Sequence, residues 1–483
     1  MNTNHQVFAT PVDLKHDDAK LASSEEAIPQ HVLDDIALHH GFIWWSMLFL
    51  NGSVLWAFYS CLSVQNYYEA KFKAANFNFA YLTTPVSTWP MFVGHALQLF
   101  FGWDKKMDMW HRVIVGFSLF VACALVILAQ EAFDTHATTG ATLVFLSFGL
   151  MGAINTLTES VFYALSALFP DSSFTTAILI GDGASGVFTI TLNTIIRLLV
   201  GGTNPAPADI VRINSVSFYI FFSVLIVVCV IAMVVFTRLL KLDGIQYLVL
   251  HNKAETARRH ASDERIGDHL GRLWRISQVI ALPMVSQFVV FAVSLTVFPG
   301  IGCSSGYQYA AGASWAAWYC SPGIIATYNY GDCAGCVVAP LLLTRLDLKW
   351  CFRLTWLRWV FLLLLLIGLP GANPVTLAGP TNSLFAFDGA RAFGQFWQLF
   401  LNVWIGLTNG ILSTITFALG PRLVAQEDRE SAGALMAFAL DRPSVGNLGP
   451  TTGLALKLNS HLVVRALLHH FAFNFSFFSK YFY

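Results

Sequence analysis

The 483-residue chain balances 28 Lys and Arg against 28 Asp and Glu; 55% of it is hydrophobic and only 12% charged. Soluble domains carry about 25% charged residues, and a chain so poor in charge, with a mean hydropathy of +0.59, would expose too much apolar surface to stay dispersed in water. A soluble globular protein is therefore excluded, and a formal net charge of zero gives no reason to expect nucleic acid as a partner. Lipid suits such a chain, so the composition predicts an all-α polytopic membrane protein with the lipid bilayer as its first partner.

In chain order, the first 40 residues are polar and acidic (Asp13, Asp17, Asp18, Glu25, Glu26, Asp34 and Asp35) and hold no apolar signal segment. They read as a disordered cytoplasmic tail over 1–40. Apolar segments then fall at 42–64, 80–102, 111–131, 139–168, 174–200 and 216–238, and again at 275–298, 315–343, 351–369 and 393–419, with a weaker one at 432–468. A span needs about 20 residues, so the expectation is about eleven transmembrane helices. The gap between the two sets carries Arg238, Lys241, Lys253, Arg258, Arg259, Arg265, Arg272 and Arg275, and basic loops stay in the cytoplasm. Alternate loops agree: Lys105, Lys106 and Arg112, then Arg345, Lys349 and Arg353, then Arg422 and Arg429 lie on one side, with Lys71 and Lys73 as a mild exception on the other. The predicted organisation is a six-helix half over 41–238, a cytoplasmic linker over 239–274, a five-helix half over 275–468 and a tail over 469–483. Such an order suits transporters with a midplane site, and equally a channel or a receptor.

The cysteines form no disulfide framework. Cys61, Cys123, Cys229 and Cys351 sit singly in or beside apolar runs, Cys303 and Cys320 share one polar stretch and are candidates to pair outside the cell, and Cys333 and Cys336 form an isolated C-x-x-C. Without a second Cys or His pair that motif reads as packing, so neither a metal nor a cofactor is expected.

Ionisable groups inside spans cost several kcal/mol unless paired or hydrated. Glu159, Asp182 and Asp332 sit deep in the fourth, fifth and eighth segments and should face a cavity or a partner helix. Arg197 and Arg358 lie nearer span ends, where snorkelling to the interface is an equal alternative. Asp182 stands in Gly181-Asp182-Gly183-Ala184-Ser185-Gly186, whose small residues permit close helix packing and which lacks the strand and Lys of a phosphate loop. Asn51-Gly52, Asn409-Gly410 and Phe298-Pro299-Gly300 mark places where spans could break and offer backbone groups to a ligand. Trp56 and Trp89 are candidate stacking surfaces for a planar molecule, against the commoner role of a membrane Trp as an interfacial anchor.

Three stretches carry a family resemblance. "FYALSALFPDSSFTTAILIGDGASG" (Phe162–Gly186), "TVFPG" (Thr296–Gly300) and "NGILSTITFALGPRLVAQEDRESAGALMAFAL" (Asn409–Leu440) resemble, in order, helices four and five, the end of helix seven, and helices ten and eleven of equilibrative nucleoside transporters. Asn155–Phe162, "NTLTESVF", looks closest to purine transporters of parasitic protozoa. The resemblance covers roughly 42–440 and implies a major-facilitator-like bundle in the plasma membrane that moves nucleosides or nucleobases by alternating access, with no catalytic residues. It also places Trp56 at the base pocket, Glu159 and Asp182 where the family has Gln, and Asp332 at a family aspartate. With Asn409 these form the predicted substrate site, and Asp332, Arg358 and Arg197 are the candidates for ion pairing or proton coupling.

The departures from the family matter too. Cys336 replaces the arginine expected four residues after Asp332, so either Arg358 substitutes from the next helix or Asp332 titrates and couples uptake to protons. Leu55 and Ala57 replace a Pro and an Asn around Trp56. Asp441, Arg442 and Pro443 are expected to interrupt the last span, which leaves a non-transporting, degenerate member as the alternative. No Ser/His/Asp or metal constellation supports an enzyme.

Overall fold

The computed structural model describes residues 28–63, 67–68, 71–72, 74, 79–102, 107–133, 135–171, 173–202, 209–260, 266–298, 318–367, 390–425 and 428–446. The described residues contain helices and no strand. In chain order they are α1 (Gln30–Leu38), α2 (His40–Ser63), α3 (Phe79–Phe101), α4 (Met109–Ala132), α5 (Ala137–Leu168), α6 (Ser173–Gly201), α7 (Ile210–Leu239), α8 (Asp243–His260), α9 (Ile266–Val279), α10 (Ala281–Val297), α11 (Ile325–Leu342), α12 (Leu348–Leu357), α13 (Trp359–Ile367), α14 (Ala390–Leu419) and α15 (Arg429–Gly446). Helix suits lipid because each segment satisfies its own backbone.

Seven of the ten strong apolar segments fall on a single helix in their described part; those at 275–298, 315–343 and 351–369 are each divided between two elements. Six helices are individually long and apolar enough to cross a membrane, and a seventh crossing follows if α9 and α10, bent by 77°, count as one. Two of the others are shortened for visible reasons. The segment at 351–369 is divided at Arg358, where the helical bonds tighten from i−4 to i−3: Arg358 N–H donates to Thr355 O at 3.3 Å and Phe361 N–H to Arg358 O at 3.0 Å. A π-turn at Tyr319–Ile324, with Pro322 inside it, leads into α11. Gly102 and Gly202, at φ +61° and +66°, close the C-termini of α3 and α6 by donating to Gln98 O and Leu198 O at 2.9 Å.

The expected breaks at Asn51-Gly52 and Asn409-Gly410 do not occur: α2 and α14 run through both, while Pro299 and Gly300 lie outside the described residues. These glycines serve close packing instead. A Cβ on Gly52 would meet Gly181 O at 3.2 Å, and one on Gly181 would meet Leu48 O at 2.4 Å. The contact between α11 and α14 is closer still. Gly331 and Gly335 lie against Val403 O and Leu407 O, at 2.4 and 2.3 Å from the position of a Cβ. Gly406 and Gly410 lie against Tyr328 O and Asp332 O, at 2.2 and 2.0 Å. Two small-xxx-small faces thus meet backbone to backbone, as helices in lipid do when no hydrophobic drive joins them.

Three further expectations change. Part of the presumed disordered tail is folded as α1: Val32 and Ile36 are buried, and Asp35 Oδ2 accepts the Gly244 N–H at 2.8 Å, capping the start of α8. On the same side of the molecule α8 also bonds Asp108 through Lys253, whose ammonium holds that carboxyl below its ordinary value. Lys71, the exception to the loop-charge pattern, is neutralised by a partly buried ion pair with Glu131 at the end of α4, so its charge carries little topological information. Finally, the backbone stays helical through Asp441, Arg442 and Pro443 as far as Gly446. A proline there removes one hydrogen bond in the last turn, a smaller loss than in mid-helix. Cys320 is disulfide-bonded, and Cys303 lies outside the described residues.

If the glycine contact holds α11 to α14, Gly410→Ala forces a methyl against a backbone carbonyl and costs about 1–3 kcal/mol or more. Gly433→Ala in α15, with nothing within 4 Å of the new atom, is the control. The first should lower the melting temperature of the detergent-purified protein and the second should not; equal melting curves would contradict the contact.

Candidate functional site

The α11–α14 register places Asn409 beside Asp332. Asn409 Nδ2 donates to Asp332 Oδ1 at 2.9 Å, Asn409 Oδ1 accepts from Ser294 Oγ at 2.7 Å, and Ser294 Oγ accepts from Arg358 Nη2 at 2.7 Å. Four segments (α10, α11, α14 and the α12–α13 junction) are joined by this relay, in which every donor points from the guanidinium toward the carboxylate. Arg358 also donates to Val290 O at 2.6 Å, Ile405 O at 3.0 Å and Thr408 Oγ1 at 3.1 Å. It is 1% exposed, so it points into the bundle and does not snorkel. Arg358 thus reaches Asp332 from the next helix only through two neutral bridges, Ser294 and Asn409, and not by direct contact. Asp332 Oδ2 makes no hydrogen bond among the described residues.

Asp182 is held on the other side. Close contact of Gly52 with Gly181 brings Asn51 onto α6, where its Nδ2 donates to Ile178 O at 3.2 Å and to Asp182 Oδ1. Tyr163 of α5 donates its hydroxyl to Asp182 Oδ2 at 3.0 Å, and its ring packs on Phe417 of α14 with centroids 4.7 Å apart. Both carboxylate oxygens are therefore satisfied by neutral donors, which lowers the cost of keeping a charge there. Glu159 is buried one turn before Tyr163 and accepts from Asn155 Nδ2 at 2.7 Å.

The two clusters meet where α6 crosses α11. A Cβ on Gly183 would stand 2.9 Å from Cys333 Cα, one on Gly186 would stand 2.5 Å from Asn329 Oδ1, and Thr191 Oγ1 and Tyr330 OH share a hydrogen bond at 2.6 Å. Asp182 and Asp332 are the residues immediately before Gly183 and Cys333, so the crossing brings the two carboxylates into one neighbourhood. Trp56 stands on α2, 4% exposed, edge-on to Phe188 of α6 at 4.5 Å between centroids. Its Nε1 has no hydrogen-bond partner among the described residues. A cavity of about 50 Å³ lies on the linker side of Tyr163, lined also by His95, Gln98, Ser160, His269 and Ser431. The arrangement offers carboxylate acceptors, one open indole donor and aromatic faces, and among the described residues no cluster fit to hold a metal.

The remaining sequence candidates separate. Arg197 lies over the Trp318 ring, 4.2 Å from its centroid, near the Gly201 end of α6 and four turns beyond Asp182. Trp89 is 44% exposed on α3 and lines no shared site with Trp56. Two groups escaped sequence reasoning. Tyr163 looked like one aromatic among many; its position four residues after Glu159, on the same helix face, was the available signal. Arg112 was counted as a loop charge, yet it is buried in the first turn of α4 and donates to Ser160 Oγ at 2.5 Å, next to Glu159.

A sequence model described as nucleoside transporter matches residues 145–442, more than half of the chain and all of both carboxylate clusters except Asn51. The chain belongs to the nucleoside transporter family. It is similar to equilibrative nucleoside transporter 1 of Homo sapiens, 22% identical over 312 residues that form 60% of this chain and 64% of that one. The Mus musculus protein of the same name is 25% identical over 194 residues, 40% of this chain and 38% of that one. The chain thus matches less than two-thirds of the length of either relative. Among solved structures, an E. coli fucose:proton symporter covers 86% of this chain and 91% of its own, with a TM-score of 0.51 and 12% identity. A second structure of that Major Facilitator Superfamily transporter, in the outward conformation, has a TM-score of 0.54 and 14% identity with the same coverage. At such identities the likeness is one of fold, and it makes this family member a multi-pass, major-facilitator-like membrane protein.

A relay through shared bridges predicts energetic coupling between groups that do not touch. In a double-mutant cycle of Arg358→Gln with Asp332→Asn, read by thermal unfolding, the two losses should depart from additivity by about 0.5–3 kcal/mol. Additivity within about 0.3 kcal/mol would remove the relay.

Proposed function

We propose that this nucleoside transporter family member carries purine nucleosides or nucleobases across the plasma membrane. A six-helix half over 41–238 and a five-helix half over 275–468, joined by a cytoplasmic linker over 239–274, would rock about a shared site in alternating access. The observation that carries the reading is the pair Asp182 and Asp332, set on the two helices whose crossing joins those halves. A ligand that bonds both carboxylates ties the halves together, which is the differential contact alternating access requires.

The site chemistry favours a nucleoside. Ribose hydroxyls and exocyclic amines are donors, and the site presents acceptors: the open Oδ2 of Asp332, and Asp182 and Glu159 wherever substrate displaces a neutral donor. A purine ring offers a face to Trp56 and a ring nitrogen to its open Nε1–H. Proton coupling is a second element of the proposal. Asp332 has no cation in direct contact, so a proton or a substrate donor can compete for it, whereas a contacting arginine would hold it ionised. The alternative of a non-transporting member turns on the last span, whose described helix reaches Gly446, while residues 447–468 lie outside the described residues.

Uptake of labelled adenosine, inosine and hypoxanthine by a purine-auxotrophic host expressing the full chain tests the proposal. Saturable uptake of at least one is expected, and Asp332→Asn should lower it about tenfold or more, as loss of a hydrogen bond to a charged group implies. Absence of uptake despite surface expression would overturn the transport reading. Repeating the assay at pH 6 and pH 8 separates coupling from facilitation: coupled uptake is faster at the lower pH, and a rate indifferent to pH removes the proton from the account.

A further inference from the structure

The helix that joins the linker to α10 does not belong to the transport site. The bend of 77° between α9 and α10 lays α9 along the membrane surface if α10 crosses the bilayer. One side of α9 is buried through Leu273 and Ile276, and the other exposes Leu270, Trp274, Arg275 and Val279, with Trp274 68% exposed. The exposed face, with Leu270 and Trp274 at one edge, Arg275 and Val279 at the other and Gly271 and Gln278 between, suits a helix lying in the headgroup layer, its apolar groups in the acyl boundary and its cation among the phosphates.

Beside this helix is a surface cleft of about 470 Å³, lined by Arg272, Arg275, Ile276 and Val279 from α9 and by Leu423, Val424, Ala425 and Asp428 from the turn between α14 and α15. Its floor is apolar and it carries two arginines against one aspartate, with Arg422 exposed next to Leu423. Arg272 also contacts the His269 ring, Nη2 to Nδ1 at 3.3 Å, and His269 Nε2 bonds Leu99 O at the end of α3 at 3.0 Å. The cleft therefore sits where α9 touches both α3 and the α14–α15 turn. A free phosphate would use only the arginines, and an uncharged acyl chain only the floor; an amphiphile with an anionic head uses both.

We propose that this cleft binds one anionic phospholipid of the leaflet on the linker side, its headgroup phosphate between Arg272 and Arg275 and an acyl chain along Ile276, Val279 and Leu423. The lipid braces α9 against the α14–α15 turn.

Native mass spectrometry of the detergent-purified full chain, titrated with phosphatidylserine and with phosphatidylcholine of the same chain lengths, tests this. Phosphatidylserine should bind about tenfold more tightly at one site, and Arg272→Gln with Arg275→Gln should remove that preference while leaving phosphatidylcholine binding and the elution profile unchanged. Asp428→Asn, which removes the one acid in the cleft and no basic group, should tighten phosphatidylserine binding and so covers the case in which the arginine variant fails to fold. Equal binding of the two lipids, or a preference untouched by these variants, overturns the proposal. Displacement of the lipid by equimolar inorganic phosphate overturns the lipid assignment in favour of a bare anion site.

Discussion

The backbone contact between α11 and α14 is the constraint on which the C-terminal part of the molecule depends. Four glycines, in two pairs each four residues apart, let the helices approach until carbonyl oxygens lie where side chains would otherwise stand. Such an approach fixes register as well as distance, because ridges and grooves this shallow interlock in one way only. In that register Asn409 falls beside Asp332, Ser294 beside Asn409, and the Arg358 break beside Ser294. The polar relay is thus a consequence of glycine spacing, and its geometry cannot be changed without moving a helix.

The relay also resolves how this chain keeps charges in a bilayer. A buried arginine without compensation costs several kcal/mol, and Arg358 meets that cost with two backbone carbonyls and two hydroxyls, with the carboxylate two bridges away. On the N-terminal side the solution differs: Asp182 has no cation, and neutral donors from α2 and α5 hold it. One carboxylate is linked to a distant arginine and the other rests on a phenol and an amide. They sit on the two helices that cross at Gly183 and Cys333, so a ligand with several donors has acceptors on both helices, and neither carboxylate is locked by a contacting cation. That difference between a tethered and an unpaired pair is what leaves room for substrate or proton to enter the balance.

Much of this was legible in the sequence, and the failures have physical causes. Ten apolar segments and the deep carboxylates stood out because lipid makes both conspicuous. The Asn-Gly pairs were read as breaks because glycine weakens an isolated helix, whereas against another backbone the missing side chain is the reason for the contact. Gly331-xxx-Gly335 and Gly406-xxx-Gly410 were readable by spacing alone. Arg358 was ambiguous because snorkelling and burial give the same sequence, and Arg112 counted as a loop charge; only the tertiary partners, Ser294 for the first and Ser160 for the second, place them inside the bundle. The helix at 30–38 was hidden by its acidic surroundings, since its two buried residues find their partners some 210 positions later, around Gly244.

The central claim is that Asp182 and Asp332 line one substrate site at the α6–α11 crossing. Cys333 reports on that place directly: it follows Asp332, is partly exposed and lies against Gly183. Site-resolved mass spectrometry of its labelling by a small methanethiosulfonate reagent, with and without a transported purine, is the most direct measurement. The account predicts that substrate slows labelling of Cys333 and leaves the exposed face of the bundle unaffected. Labelling of Cys333 at the same rate with and without saturating substrate would place the site elsewhere.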